Sequence, residues 1–285
     1  MIKTIKYFIE ALTIYIFFII IKILGLSISR SIFSFIFSKL GPLVKSKDII
    51  RKNLDIFSNQ ITDQRRKDIE LNMWSNYGKT FVEYMFLKKF RNENLHVDVE
   101  GKKILGQISQ SNKPVIFVSG HFANFEIMSI EITKNKINLA AIYRPLNNFF
   151  LNPLMEYLRK KYVCKNQIKK GNAGIKDCIE YVKKGHSLAM MIDQRLGEGD
   201  RVNFFNKKAH TTSFPAQLAL RYNLNIVPIF IKRDLKNCFK IKVHTPITTS
   251  KFKNKSELTK NLNQVLENMI IKNPGQWIWT HDRWK

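Results

Sequence analysis

The residues best placed to do chemistry are His121 and Glu126, within the stretch V-I-F-V-S-G-H-F-A-N-F-E-I-M-S-I at positions 115–130. A short apolar run ends at Ser119-Gly120, the histidine follows at once, and Phe125, Met128 and Ile130 then take up helical spacing. This pattern reads as strand, tight turn and helix. Five positions apart, the two side chains would be separated by about 140° on one continuous helix. They converge only if the histidine lies in the loop and the glutamate within the helix, and Gly120 permits that turn. A carboxylate that accepts one imidazole N–H fixes the tautomer and leaves the other nitrogen free to take a proton from a hydroxyl. That is general-base work near neutral pH. Asn124 is a natural cap for the helix start. By themselves the two residues carry little, because a histidine beside a strand end is more often structural.

The flanking elements must hold this turn. Strand-like runs at 97–99, 138–144, 187–192, 225–232 and 240–243 alternate with helical patterns at 104–110, 148–162, 173–184, 213–221 and 256–271, with Gly185 as a stop signal and Ser213 as a cap. Such alternation predicts an α/β fold, a mixed sheet flanked by helices on both faces. His121, Arg144 and Asp193 each follow a strand, and sites in open α/β sheets gather at strand carboxyl ends. Residues 48–90 are helical, with Leu71, Trp74, Tyr77, Phe81, Tyr84 and Leu87 forming a stripe read as helix core in preference to a lipid groove. Positions 195–212 hold Gly197 and Gly199 and show no clear period, which predicts a long functional loop.

With 285 residues and 45% hydrophobic content, the chain suits one large domain plus an appendage. Cys164, Cys178 and Cys238 are odd in number and share no metal spacing, so no disulfide framework or zinc site is implied and a reducing compartment is expected. Lysine and arginine number 48 against 22 acids, a formal charge of +26 spread along the chain. Such a surface attracts a polyanion. No zinc-finger, RRM-type or helix-turn-helix signature is present, which argues against nucleic acid and leaves an anionic membrane or an acidic protein.

Residues 1–40 are the most apolar region and predict an N-terminal hydrophobic membrane-anchor helix, with residues 41–285 as the catalytic domain. The longest charge-free run, 11–21, is short for a bilayer, but Lys22 can carry its ammonium toward the headgroups and extend it through residue 28. A single span and an interfacial amphipathic helix both remain open. If the segment spans, the excess of Lys22, Arg30, Lys39, Lys45, Lys47, Arg51 and Lys52 over Lys3 and Lys6 puts the body on the cytoplasmic side. A second apolar patch, 31–43, is expected to pack on the core or in the interface.

Five ordered blocks resemble the late, Kdo-dependent lipid A biosynthesis acyltransferase family, part of the lysophospholipid acyltransferase-like superfamily with its H-x4-D/E motif. They are H-F-A-N-F-E, Y-R-P-L-N-N at 143–148, M-I-D-Q at 191–194, N-F-F-N-K-K-A-H-T-T at 203–212 and P-G-Q-W-I-W-T-H-D-R-W-K at 274–285. Ala123 stands where glycine is common, Phe125 where tryptophan is common and Trp284 where phenylalanine is common, size changes that bear on acyl-chain or acceptor choice. The resemblance implies a glycerolipid acyltransferase-like fold and an O-acyltransferase that needs no metal or cofactor. It implies acyl carrier protein as donor, a phosphorylated lipid A precursor as acceptor, and the cytoplasmic face of an inner membrane as location.

In this reading His121 is the general base and Glu126 orients it and balances its charge. Arg144 is a strand-end cation for a phosphate or an oxyanion, or else a partner for Asp193. Asp193, Gln194 and Asn124 are candidate substrate contacts. His210, His281 and residues 277–284 carry no specific role beyond packing. Rival readings are acylation of another glycolipid or lysophospholipid, a metallohydrolase built on His121, Glu126 and Asp193, and a non-catalytic membrane protein that binds anionic lipid.

Overall fold

The computed structural model describes residues 2–44, 47–94, 96–197 and 199–285. Lys45, one of the basic residues behind the apolar run, and Glu198, inside the stretch read as a loop, lie outside the described residues.

The strands are β1 (Val97–Glu100), β2 (Ile116–Ser119), β3 (Leu139–Tyr143), β4 (Asn166–Lys169), β5 (Ser187–Met191), β6 (Asp200–Phe204), β7 (Lys207–Thr211), β8 (Ile226–Arg233) and β9 (Phe239–Val243). Seven of them form one mixed sheet in the order β1-β9-β8-β2-β5-β3-β4, parallel except where β9 meets β8. The helices are α1 (Ile2–Val44), α2 (Lys47–Phe57), α3 (Asp63–Glu83), α4 (Leu87–Asn92), α5 (Lys102–Ser111), α6 (Glu126–Lys134), α7 (Asn152–Leu158), α8 (Asn172–Lys183), α9 (Phe214–Tyr222) and α10 (Lys255–Lys272). The expected mixed α/β sheet is therefore present. Strand β2 is buried along its whole length, as a central parallel strand covered on both faces must be, and this is why its sequence is a continuous apolar run.

Three elements differ from expectation. Strand β4 buries only Ile168, too little to mark it in the sequence. The helix expected from position 148 begins at Asn152, with Pro153 in its first turn, and its last turn opens into a π-helix, Arg159–Val163. The stretch read as a long loop is instead largely an antiparallel hairpin of β6 and β7. Val202, Phe204, Ala209 and Thr211 face inward from it, and Phe205 and Asn206 take the positive φ values of the two-residue turn.

The apolar N-terminus is not one straight helix. Gly25 has φ +77°, outside helical space, and the chain folds back there. Ser29 Oγ donates to the carbonyl of Ile21 at 3.2 Å, and the Phe17 and Phe33 rings meet edge-on at 5.7 Å. Sixteen residues of straight helix would hold those rings about 24 Å apart. The arms, residues 2–24 and 26–44, pack side-on against α3, and Phe18, Phe33 and Phe37 all converge on Phe81 at 5.2, 5.6 and 5.8 Å. The second arm lies so close to α3 that a Cβ on Gly78 would collide with the backbone of Phe33. Facing away from the protein, Ile5, Phe8, Ile9, Leu12, Ile16, Ile19, Ile23, Ile28 and Phe35 are exposed.

Candidate active site

The centre of the site follows from the sheet order. Strands β2 and β5 are parallel neighbours in register, Ser119 opposite Met191, and the Ile192 N–H donates to the Ser119 carbonyl at 2.9 Å. The chains leaving both strands therefore run side by side, and His121 and Asp193 meet. One Asp193 oxygen accepts from the His121 backbone N–H at 2.8 Å and the other sits 2.7 Å from Nδ1 of the same residue. Trp277 Nε1 donates a third hydrogen bond at 2.9 Å.

Asp193 is completely buried, whereas the His121 side chain keeps 22% of its surface exposed. With a carboxylate on Nδ1, the imidazole carries its proton there and turns Nε2 outward as the acceptor. Burial pushes the imidazole down, but the Asp193 charge and hydrogen bond outweigh it and raise His121 above the ordinary histidine value of 6.5. Burial likewise pushes the Asp193 carboxyl up, and the facing imidazole with its donated hydrogen bonds reverses this to a net lowering.

The hydrogen bond expected between His121 and Glu126 is thus made by Asp193 instead. The histidine does lie in the turn and Glu126 in the first turn of α6, yet Glu126 accepts from Arg159 Nε at 2.7 Å and from the Tyr84 hydroxyl at 2.9 Å. Arg159 is itself buried, and a buried guanidinium demands a carboxylate. It therefore competes successfully for Glu126. Although burial opposes the charge, Glu126 holds Arg159 above its ordinary value. Glu126 still acts on His121 through space, adding to the forces that raise it.

Asn124 does not cap the helix with its side chain. It is fully buried, α6 starts without a side-chain cap, and Asn124 Nδ2 donates to Glu83 at 3.0 Å. Asp193, expected among the substrate contacts, has no exposed surface from which to make one. Arg144 is exposed just beyond β3 and Gln194 half-buried beside Asp193. The turn itself is strained, since Ala123 has φ +43°, a conformation that costs an L-residue about 1–2 kcal/mol. Three hydrogen bonds hold it there. The Ala123 carbonyl accepts from Thr80 at 3.1 Å and from Asn76 at 3.5 Å, and its N–H donates to the Gln276 carbonyl at 3.1 Å.

The C-terminal block closes the site from behind. His281, whose burial keeps it neutral by lowering it, accepts from the Arg195 N–H at 2.8 Å. Arg283, with no exposed surface, donates to the His210 carbonyl and Thr211 Oγ1, both at 2.7 Å, and burial pushes it down to about 10. In the sequence Trp277 and Tyr84 carry packing roles only and Arg159 carries none, its one signal being its place before Lys160 and Lys161 at the end of a helical pattern.

Beside the dyad lies an apolar cavity of about 350 Å³. Its walls are Ile14, Phe18 and Phe37 from the N-terminal arms, Tyr77, Thr80, Phe81 and Tyr84 from α3 and its extension, and Phe125, Leu146, Leu151 and Met155. Phe125 bridges cavity and dyad, its ring edge-on to His121 at 4.7 Å. The aromatic stripe read as core thus lines an open apolar space along part of its length.

Several known proteins are similar to this chain in sequence. A family model described as bacterial lipid A biosynthesis acyltransferase matches residues 2–285. The lipid A biosynthesis palmitoleoyltransferase of Escherichia coli (strain K12) is 25% identical over 256 residues, covering 86% of this chain and 80% of the relative. The lipid A biosynthesis lauroyltransferase of the same organism is 21% identical over 243 residues, covering 83% and 78%. Among solved structures, the 1-acyl-sn-glycerophosphate (LPA) acyltransferase of Thermotoga maritima is 14% identical, with a TM-score of 0.43 over 89% of this chain and all of that one. The chain is an acyltransferase, and it belongs to the bacterial lipid A biosynthesis acyltransferase family.

Proposed function

We propose that the enzyme moves a fatty acyl group from the thioester of acyl carrier protein to a hydroxyl of a phosphorylated lipid A precursor. The observation that carries the reading is the His121–Asp193 pair with Nε2 turned outward beside an apolar cavity. Nε2 takes the acceptor hydroxyl proton as the oxygen attacks the thioester carbonyl. The tetrahedral intermediate then expels the thiolate, which recovers the proton from the imidazolium. Asp193 orients the ring and balances its charge, and Glu126 adds to that balance through space. Arg144 and Gln194 are left as the residues to contact the acceptor, the arginine suited to a phosphate. Purified enzyme given acyl carrier thioester and a phosphorylated disaccharide lipid precursor should yield, by mass spectrometry, a product heavier by one acyl group. If only a lysophospholipid accepts the acyl group, the acceptor assignment is wrong.

The exposed apolar face of the folded-back arms would seat the enzyme on a membrane, with the basic surface attracted to anionic headgroups. Packing of both arms on α3 favours this interfacial seat over a straight span. The inner membrane and its cytoplasmic face follow from the proposed substrates.

Two expected outcomes check the reading. The pH profile of kcat/KM should rise along the His121 titration with a midpoint above 6.5. In Asp193→Asn the strongest upward influence is gone and burial is opposed only by the charge of Glu126, so the midpoint should fall. An unmoved midpoint would separate the titration from this pair. For the donor, the cavity predicts that Ile14→Trp shortens the preferred acyl chain, since each methylene denied burial loses about 0.8 kcal/mol, about fourfold in kcat/KM. A chain-length series of acyl carrier thioesters would show it, and an unchanged preference would remove the cavity from donor binding.

A further inference from the structure

Glu83, at the C-terminal end of α3, has no exposed surface and joins three parts of the fold. Arg30, from the second N-terminal arm, donates Nε to it at 2.7 Å. Arg233, at the end of β8, grips it with both terminal nitrogens, one to each carboxylate oxygen. Asn124, three positions after His121, donates to it at 3.0 Å. Two guanidiniums on one carboxylate leave a surplus positive charge, and apolar packing of similar volume commonly matches or exceeds such a cluster in stability. What the cluster supplies is direction. Arg233 grips the carboxylate bidentately and fixes its plane, Arg30 from the arm fixes where along the cluster it sits, and Asn124, hence the His121 turn, is registered against the carboxylate so held.

We propose that Glu83 is a positioning residue through which the N-terminal arms hold the His121 turn in register for acyl transfer. The placement of the arms on a lipid surface is then felt at the dyad, although neither arm is seen to contact His121. This inference rests on the acyl-transfer reading above. Its chemistry is the sensitivity of proton transfer to geometry, where a displacement of about 1 Å can cost 10²-fold.

The test is a double-mutant cycle in the full-length protein, with Arg30→Met and Asn124→Ala alone and together, followed by kcat and donor KM. Arg30→Met leaves Glu83 paired with Arg233, and Asn124→Ala leaves both arginine pairs intact. Each single change should lower kcat about tenfold or more with KM altered by less than about twofold, and the double should be scarcely worse than the weaker single. Multiplying losses, or losses confined to KM, would overturn the proposal. Asn124→Ala should also shift the kcat/KM midpoint downward, because a slack turn loosens His121 from Asp193, whereas a merely structural role would leave it in place. Should Arg30→Met fail to fold, Arg30→Lys takes its place in the cycle under the same criterion. The two failures are distinct. Activity retained by His121→Ala would defeat the acyl-transfer reading, whereas an additive cycle in an enzyme that His121→Ala silences defeats only the role of Glu83.

Discussion

Replacing His121 by alanine is expected to lower acyl-transfer turnover by roughly 10²- to 10⁴-fold, the range typical of losing a general base, while the protein stays folded. The ring belongs to a turn and is partly exposed, so little of the core rests on it. Asp193→Asn should approach the same loss. An amide can still hold Nδ1, but its oxygen and nitrogen no longer compel the proton to lie there or balance the imidazolium. Because both residues act as one unit, the double replacement should be scarcely worse than His121→Ala. Glu126→Gln separates the two possible orienting carboxylates. If Asp193 alone fixes the ring, Glu126→Gln keeps substantially more turnover than Asp193→Asn, and a loss equal to that of His121→Ala would return the orienting role to Glu126. Single-turnover rates with saturating donor are the decisive measurement.

Replacing Glu83 by alanine is expected to cost about 3–5 kcal/mol of stability, the usual consequence of stranding a buried charge without its partner. Here two guanidiniums are stranded at once, Arg30 and Arg233, whose side chains are only 6% and 3% exposed. Their remaining support is aromatic and neutral. Arg30 lies over Phe90 and Phe239, Arg233 over Phe239, and Asn76 accepts from Arg233. At roughly 2–4 °C per kcal/mol for a chain of this size, Tm should fall by about 6–20 °C. Adding Arg30→Met and Arg233→Met to Glu83→Ala should recover part of the loss, since the charges that demanded the carboxylate are then gone. A loss under about 1 kcal/mol would mean that water reaches the cluster and screens it.

The strand-turn-helix around His121 was legible because every signal for it is local, the apolar run, the Gly120 turn and the helical period occupying adjacent residues. Its partner was legible only as a residue at a strand end. Which strands are neighbours is a property of sheet order, and the order that sets β2 beside β5 brings together residues 72 positions apart. Sequence proximity therefore favoured Glu126, and the demand of Arg159 for that carboxylate was invisible until the π-helical turn placed it. The fold-back at Gly25 was hidden for a similar reason. Leucines flank that glycine in a predominantly apolar stretch, and the arms fold back onto Phe81, far along the chain. Glu83, by contrast, left a trace, a lone acid inside an aromatic stripe. The inward alternation of Val202, Phe204, Ala209 and Thr211 was likewise present to be read, but the turn between them is Phe-Asn and not the usual Asn-Gly.

The hydrogen bond from Trp277 to Asp193 joins a residue near the far end of the chain to the centre of the site, and this orders events on the ribosome. The apolar arms emerge first, His121 midway and Trp277 last. At 5–20 residues per second, the interval between His121 and Trp277 is roughly 8 to 30 s. Throughout it the arms are free to find a lipid surface, while Asp193 lacks its third donor and Ala123 lacks the Gln276 carbonyl that fixes its N–H. On the proposed reading, a nascent chain is thus berthed before it is armed, and thioester reaching it early meets a polypeptide without a finished catalyst.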